Sequence, residues 1–493
     1  MTSIYSTWFI LFCAISLACT LPCLSQNSEE ATDLETTVED TQEAIQEEES
    51  QNCMVLNLDQ AISRALNFNR QIIGQLDSTI KAEYGIILAQ SEFDIKWVPN
   101  SKVGYSGGDR DGTGASFGYG LTFSKLFETG TELYLTPMVG KTGQRYYSQI
   151  EARISQPLFK GLGREYQLSR LKTAQFGLRS ACRNIYLAQL QLVMRTINAM
   201  YDVIKAQKAM ELNKISFERI TKFYQVAKLK EKIGFADALD VYRAEVEWQQ
   251  AQDALTSSQE RLQDSYDTLK DLLALPLEIC IQVDVPLVPT PNTMTLEEAT
   301  QTAIDQRVEI ELAEDQWREN YRLAYIAKDD LYPDLNLVVD FSNDGRDELF
   351  MRTWSNHRQS RWGIGLESRG EVNPIGDDIT YKQKLLAVQA SERSLDQKKA
   401  EIILEVKRAL RNLQKAAIRI EAQHEQIHTA QGQLQLATIK FERGIANNFD
   451  VIQAEKTLRS AQHTYWSALI DHIIGEYQFL IALGILTDKP QIL

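Results

Sequence analysis

The stretch FERGIANNFDVIQAEKTLRSAQHTYWSALIDHIIGEYQFLIA, residues 441–482, opens on a glycine turn and continues as an uninterrupted helix-forming run. Val451, Leu458, Tyr465, His472 and Phe479 recur every seventh residue, and Ala454, Ala461, Ala468, Gly475 and Ala482 form a second row three places on. The first row is mostly large and the second is uniformly small. A strict seven-residue repeat keeps one seam against a partner helix and implies a left-handed supercoil. Small side chains along one row let the two backbones approach closely.

The same stretch occurs 210 residues earlier: Gly444 maps onto Gly234, Asp450 onto Asp240, and the large row onto Val241, Trp248, Leu255, Leu262 and Leu269. A helix start, Leu58-Asp59-Gln60-Ala61-Ile62, has its twin 238 residues on in Leu296-Glu297-Glu298-Ala299-Thr300. The chain is therefore an internal duplication. It divides into a signal peptide (1–25), an acidic disordered spacer (26–52), a first repeat (53–275), a linker (276–294), a second repeat (295–486) and a short tail (487–493).

Within the first repeat the periodicity predicts a helix from Leu58 to about Trp97, strands over 100–156, and a long helical hairpin with its tip at 232–240. The second repeat predicts a helix from Leu296 to about Tyr332, strands over 335–370, and a hairpin with its tip at 441–450. Both first helices are expected to stop at a proline, Pro99 and Pro333, because the residue before proline disfavours helical geometry. The first strand region carries 17 residues more than the second, an enlarged loop or hairpin.

Composition narrows the function. The formal net charge of -15 disfavours a nucleic-acid partner. Trp8–Leu17 is almost wholly apolar and Cys23-Leu24-Ser25 offers a small-x-small cleavage site, so the chain reads as exported. Ser16-Leu17-Ala18-Cys19 also resembles a lipoprotein cleavage site, with Ser at the usual Leu position. Three of the six cysteines lie in this leader, and the others show no metal-ligand spacing, so they read as structural or incidental thiols. No later stretch offers 18 or more uncharged apolar residues, so no transmembrane helix is expected. The alternating aromatic strands suit a lipid-facing barrel wall. One chain supplies about four such strands, fewer than the roughly eight a barrel needs. Closure therefore demands several copies.

Together these anchors resemble the TolC-like outer-membrane efflux proteins over about residues 54–486. The residues that carry the resemblance are Leu58-Asp59-Gln60-Ala61, Thr295-Leu296-Glu297-Glu298-Ala299, Gln156-Pro157-Leu158-Phe159 and the Gly-x5-Asp-Val turns at Gly234–Val241 and Gly444–Val451. Leu126-Phe127-Glu128-Thr129-Gly130-Thr131 resembles a branch with an enlarged first strand region. The resemblance implies a mainly α fold with β: long antiparallel coiled-coil helices, and strands that build a trimeric 12-stranded barrel continuous with a periplasmic helical tunnel. It further implies a non-catalytic conduit in the outer membrane, without cofactor, that docks a periplasmic adaptor and an inner-membrane transporter. Gly234, Phe235, Gly444 and Ile445 would form the docking tips. Asp240 and Asp450 read either as acids at helix N-termini or as an acidic gate, with Arg443 as its locking partner.

One motif points elsewhere. His424-Glu425-Gln426-Ile427-His428 fits the helix-borne zinc-peptidase pattern. Ile427 lies on a heptad seam and both histidines fall off its packing rows, so no metal or catalytic residue is assigned. The alternative function is a non-conducting periplasmic coiled-coil scaffold or adaptor.

Overall fold

The computed structural model describes residues 53–106, 114–234, 237–290, 294–355, 357–369 and 375–487. The signal, spacer and lipidation readings and residues 488–493 of the tail lie outside these, as does Phe235. The compact unit is Met54–Leu493.

Each repeat begins with a broken helix. In the first, α1 (Leu58–Phe68) and α2 (Arg70–Gln90) meet at Asn69, and in the second, α6 (Leu296–Gln306) and α7 (Val308–Asp329) meet at Arg307. The single helices expected to run to Trp97 and Tyr332 are thus corrected. Asn69 leaves helical geometry because its side chain caps α2, accepting from the Gln71 amide at 2.9 Å. Its amide nitrogen then donates to the Leu272 carbonyl at 3.0 Å. Arg307 does the same in the second repeat, donating to the carbonyls of Ile481 and Ala482 at 3.3 Å. Asn69 and Arg307 differ by the 238 offset, and Leu272 and Ala482 by the 210 offset. Each break thus serves to cap orphan carbonyls at the end of the repeat's returning helix.

Arg307 also pairs with Glu309 (2.7 Å) and Glu405 (3.0 Å). Burial pulls its pKa down, but the two carboxylates outweigh this and hold it above the ordinary value. Arg307→Met is expected to lower unfolding stability by about 1–3 kcal/mol, since it leaves carbonyls unsatisfied. Asn69→Ala should cost about 1 kcal/mol. Urea unfolding midpoints of the purified protein check both.

The long helices are α4 (Ser169–Lys232) and α9 (Ile375–Glu442), preceded in the first repeat by the short α3 (Arg164–Gln167). They return as α5 (Ala238–Leu272) and α10 (Asn448–Leu483). At 1.5 Å per residue the outgoing helices are about 100 Å long. The heptad of α10 is buried at Val451, Leu458, His472 and Phe479 and at Ala454, Ala461, Ala468 and Ala482. At Gly475, where a Cβ would sit 3.8 Å from Leu413, the helix lies close against α9. Side by side, α2 packs on α4, α4 on α7 and α7 on α9. The largest buried cluster draws on α1, α2, α4, α5 and α10 and includes Leu192, Ile197, Tyr201, Leu269 and Ile470.

Six strands form one antiparallel sheet in the order β2-β3-β4-β5-β7-β8. They are β2 (Lys96–Ser106), β3 (Gly114–Leu126), β4 (Glu132–Thr142), β5 (Arg145–Pro157), β7 (Asp334–Asp347) and β8 (His357–Arg369). The short α8 (Phe350–Ser355) lies between β7 and β8. One chain thus supplies six strands to a single sheet, where about four were expected. The miscount has a physical source. Pro99 does not end a helix; it sits inside β2, an edge strand, where proline is tolerated.

Separately, β1 (Met54–Asn57) pairs in parallel with β6 (Ile281–Asp284). Cys53 and Cys280, expected to be structural or incidental thiols, are disulfide-bonded just ahead of these strands. Cys182 is free.

Candidate functional site

Two features stand out. One is the pair of helix reversals. α9 closes with a Schellman motif: the Gly444 amide donates to Phe441 O (3.1 Å) and the Ile445 amide to Lys440 O (2.9 Å). Gly444 has φ +72°, which only glycine adopts without strain. Gly234 repeats this with φ +78° and a 2.9 Å bond to Glu231 O. Open space surrounds both α-carbons. Ile233 and Ile445 are 68% and 72% exposed, apolar side chains at the free ends of the hairpins.

The acids behave differently from each other. Asp450 closes a capping box, accepting from the Asn447 amide at 3.3 Å, and remains exposed. At α5 the N-cap is Asp237, and Asp240 instead lies 3.9 Å from Arg243. Arg243, which sequence reasoning missed, places its guanidinium 5.7 Å from the Phe449 ring centroid and so joins the two tips. Asp240, Tyr242, Arg243, Glu247 and Phe449 line a shallow cleft of about 250 Å³. Below it, Lys456 pairs with Glu247 at 2.6 Å. Lys230 sits 3.6 Å from the Phe441 ring centroid. Hydrogen bonding to Tyr224 raises the Lys228 pKa. Arg443 is exposed, with no ion pair among the described residues.

The second feature is the sheet. On one face, Trp97, Phe123, Leu135, Ala152, Phe341 and Trp362 lie directly opposite one another, strand after strand, from one edge to the other. A second row on the same face runs Leu133, Ile154, Val339, Ile364. The opposite face is polar. Asn100 donates to Thr122 (2.6 Å), Thr122 meets Thr136 (3.0 Å), and Arg153 bridges Asp340 and Glu367. One apolar and one hydrated face is the arrangement of a barrel wall in lipid. No described helix is long and apolar enough to cross a membrane.

A profile of the family described as "Outer membrane efflux protein" matches residues 299–471. The outer membrane protein TolC of Vibrio cholerae is 20% identical over 325 residues, 65% of this chain and 73% of that one. Among solved structures, VceC of Vibrio cholerae superposes with a TM-score of 0.68 at 15% identity, covering 87% of this chain and 96% of that one. The MtrE channel of Neisseria gonorrhoeae, in its open state, gives 0.63 at 16% identity over 87% and 89%. The second repeat thus matches the outer membrane efflux protein family, and the fold is that of solved outer-membrane channels. Known relatives in this family are outer-membrane efflux channel components.

The remaining motif, His424-Glu425-x-x-His428, is exposed on α9, with the His424 ring centroid 6.1 Å from that of Tyr465. Among the described residues no cluster of three or more His, Cys, Asp or Glu side chains is placed to hold a metal ion.

Proposed function

We propose that this protein is the outer-membrane conduit of a tripartite efflux or type I secretion assembly. Three copies close the sheets into one barrel in the outer membrane and carry the helices into the periplasm as a tunnel. The tips at Gly234 and Gly444 dock a periplasmic adaptor and an inner-membrane transporter. Cargo passes without chemistry, driven by the inner-membrane partner.

The observation that carries this reading is the joining of a two-faced sheet to helices about 100 Å long that end in exposed apolar glycine turns. The flank of α2 supports assembly from several copies. Ile73, Leu76 and Ile80 form a stripe at helical spacing, 44–48% exposed, with no partner helix among the described residues. At the tip, Asp450 serves α10 as a cap and still presents its carboxylate, and Arg443 is available to a neighbouring copy.

The test is a double variant, Ile233→Asp with Ile445→Asp. A charge buried in a docking surface costs more than about 1.4 kcal/mol, so export should fall by about tenfold or more. Outer-membrane abundance should be unchanged, because both side chains are exposed. Full export would remove the tip assignment, and recovery of the wild-type chain only from soluble periplasm would remove the conduit.

A further inference from the structure

The sheet is wider than the helical layer it stands on would require strand for strand. Four helices lie side by side, α2, α4, α7 and α9, and each continues into one strand: β2, β5, β7 and β8. The strands β3 and β4 have no helix of their own. They form a hairpin inserted between β2 and β5, and its turn lies at the helical end of the sheet. There the Gly163 amide donates to Thr129 O (3.3 Å), Arg164 pairs with Glu128 (2.8 Å), and a Cβ on Gly130 would sit 2.8 Å from Gly161 O. The hairpin is therefore built into the junction. It also belongs to the wall, because Phe123 and Leu135 continue the apolar row between Trp97 and Ala152.

We infer that three copies close an eighteen-stranded barrel, through pairing of β2 in one copy with β8 in the next. This rests on the trimeric reading above. Three arguments support it. Backbone N–H and C=O groups at a sheet edge cannot be left unpaired in lipid, and β2 and β8 are the two edges. An antiparallel sheet with an even number of strands presents edges of opposite direction, so a head-to-tail ring continues the antiparallel pattern at every joint. The outward tryptophans of the edge strands are the least covered of their row: Trp97 and Trp362 are 68% and 76% exposed, against 40% and 41% for Leu135 and Phe341.

Widths agree as well. A strand spaced about 4.8 Å from its neighbour and tilted about 40° takes about 6 Å of circumference, so six take about 38 Å. Four helices about 9–10 Å apart take about the same. Four strands would take only about 25 Å. Barrel diameter grows about linearly with strand number, so the mouth is about one and a half times as wide as a twelve-stranded one. With polar residues lining it, a barrel of this size leaves an aqueous channel. The narrow point for cargo then lies in the helical part.

The test uses the full-length protein in detergent with Cys182→Ser. Val103→Cys on β2 is combined in turn with Trp362→Cys, Ile364→Cys or Leu366→Cys on β8, three same-face positions that scan the register, and oxidised. Native mass spectrometry first counts the copies. Three copies, with one pairing that converts monomer into a covalent trimer, is the expected result. Three copies with no β2–β8 crosslink at any register overturns the eighteen-stranded barrel and leaves the trimer standing. Two copies, or one, overturns both.

Discussion

Arg219→Ala is expected to cost about 3 kcal/mol or more, although the arginine is itself half-exposed. The reason lies with its partner. Nη1 of Arg219 on α4 donates to both carboxylate oxygens of Glu455 on α10, at 3.2 and 3.0 Å, and Glu455 is 2% exposed. Removing the arginine strands a carboxylate in a dry seam between the two hairpins, and an uncompensated buried charge costs about 3–5 kcal/mol. Replacing both residues, Arg219→Met with Glu455→Leu, removes the charge and fills the space, and should return most of the loss. The neighbouring tie from Lys205 to Asp471 (3.1 Å) is more exposed, and Lys205→Ala should cost under about 1 kcal/mol. Thermal or urea unfolding followed by circular dichroism measures all three variants. A single-variant loss as small as that of Lys205→Ala would show that water reaches Glu455 and that the seam is not dry.

This contrast separates what the sequence could show from what it could not. The heptad rows were legible because a helix packed along its length repeats the same environment every two turns, and Val451, Ala454, Leu458 and Ala461 are all buried as that periodicity requires. Gly234 and Gly444 were legible because a reversal at positive φ leaves little choice of residue. Glu455 was not, because the cation that permits it belongs to another helix 236 residues away. The breaks at Asn69 and Arg307 were missed for the same reason: the carbonyls they cap lie 203 and 175 residues further on. The strand β2 was missed because Lys96, Asn100 and Lys102 lie on its polar face and Pro99 interrupts it, so it lacks the apolar alternation that marked its neighbours. At the tips, Asp450 looked equally like a cap and a gate. The capping box settles only the first role, and Arg243 over Phe449 was invisible because it joins two hairpins.

Gly140→Val should do more damage to the β3–β4 hairpin than any other single-residue change near it, and the geometry says why. Gly118 on β3, Gly140 on β4 and Tyr147 on β5 are direct cross-strand neighbours on the polar face, and the Tyr147 ring lies over both glycines. A side chain at Gly118 would meet only the far end of Tyr147, its hydroxyl oxygen, which can swing away. A side chain at Gly140 would collide both with the Tyr147 ring and with the backbone carbonyl of Phe117. The first collision can be relieved by moving the tyrosine. The second cannot, because that carbonyl belongs to the adjacent strand. Forcing a branched residue into such a site costs about 3 kcal/mol or more. Tyr147→Ala alone removes the aromatic cover over two flexible residues and should cost about 1 kcal/mol. The double variant, Gly140→Val with Tyr147→Ala, should remain as damaged as Gly140→Val, because the Phe117 carbonyl is still in the way. The amount of trimer in outer-membrane extracts distinguishes these cases. If β3 and β4 are part of the closed wall, a chain whose hairpin cannot pair leaves open edges in lipid, and Gly140→Val should lose the trimer while Tyr147→Ala keeps it. If the hairpin hangs outside a barrel made of the other strands, both variants should assemble equally well.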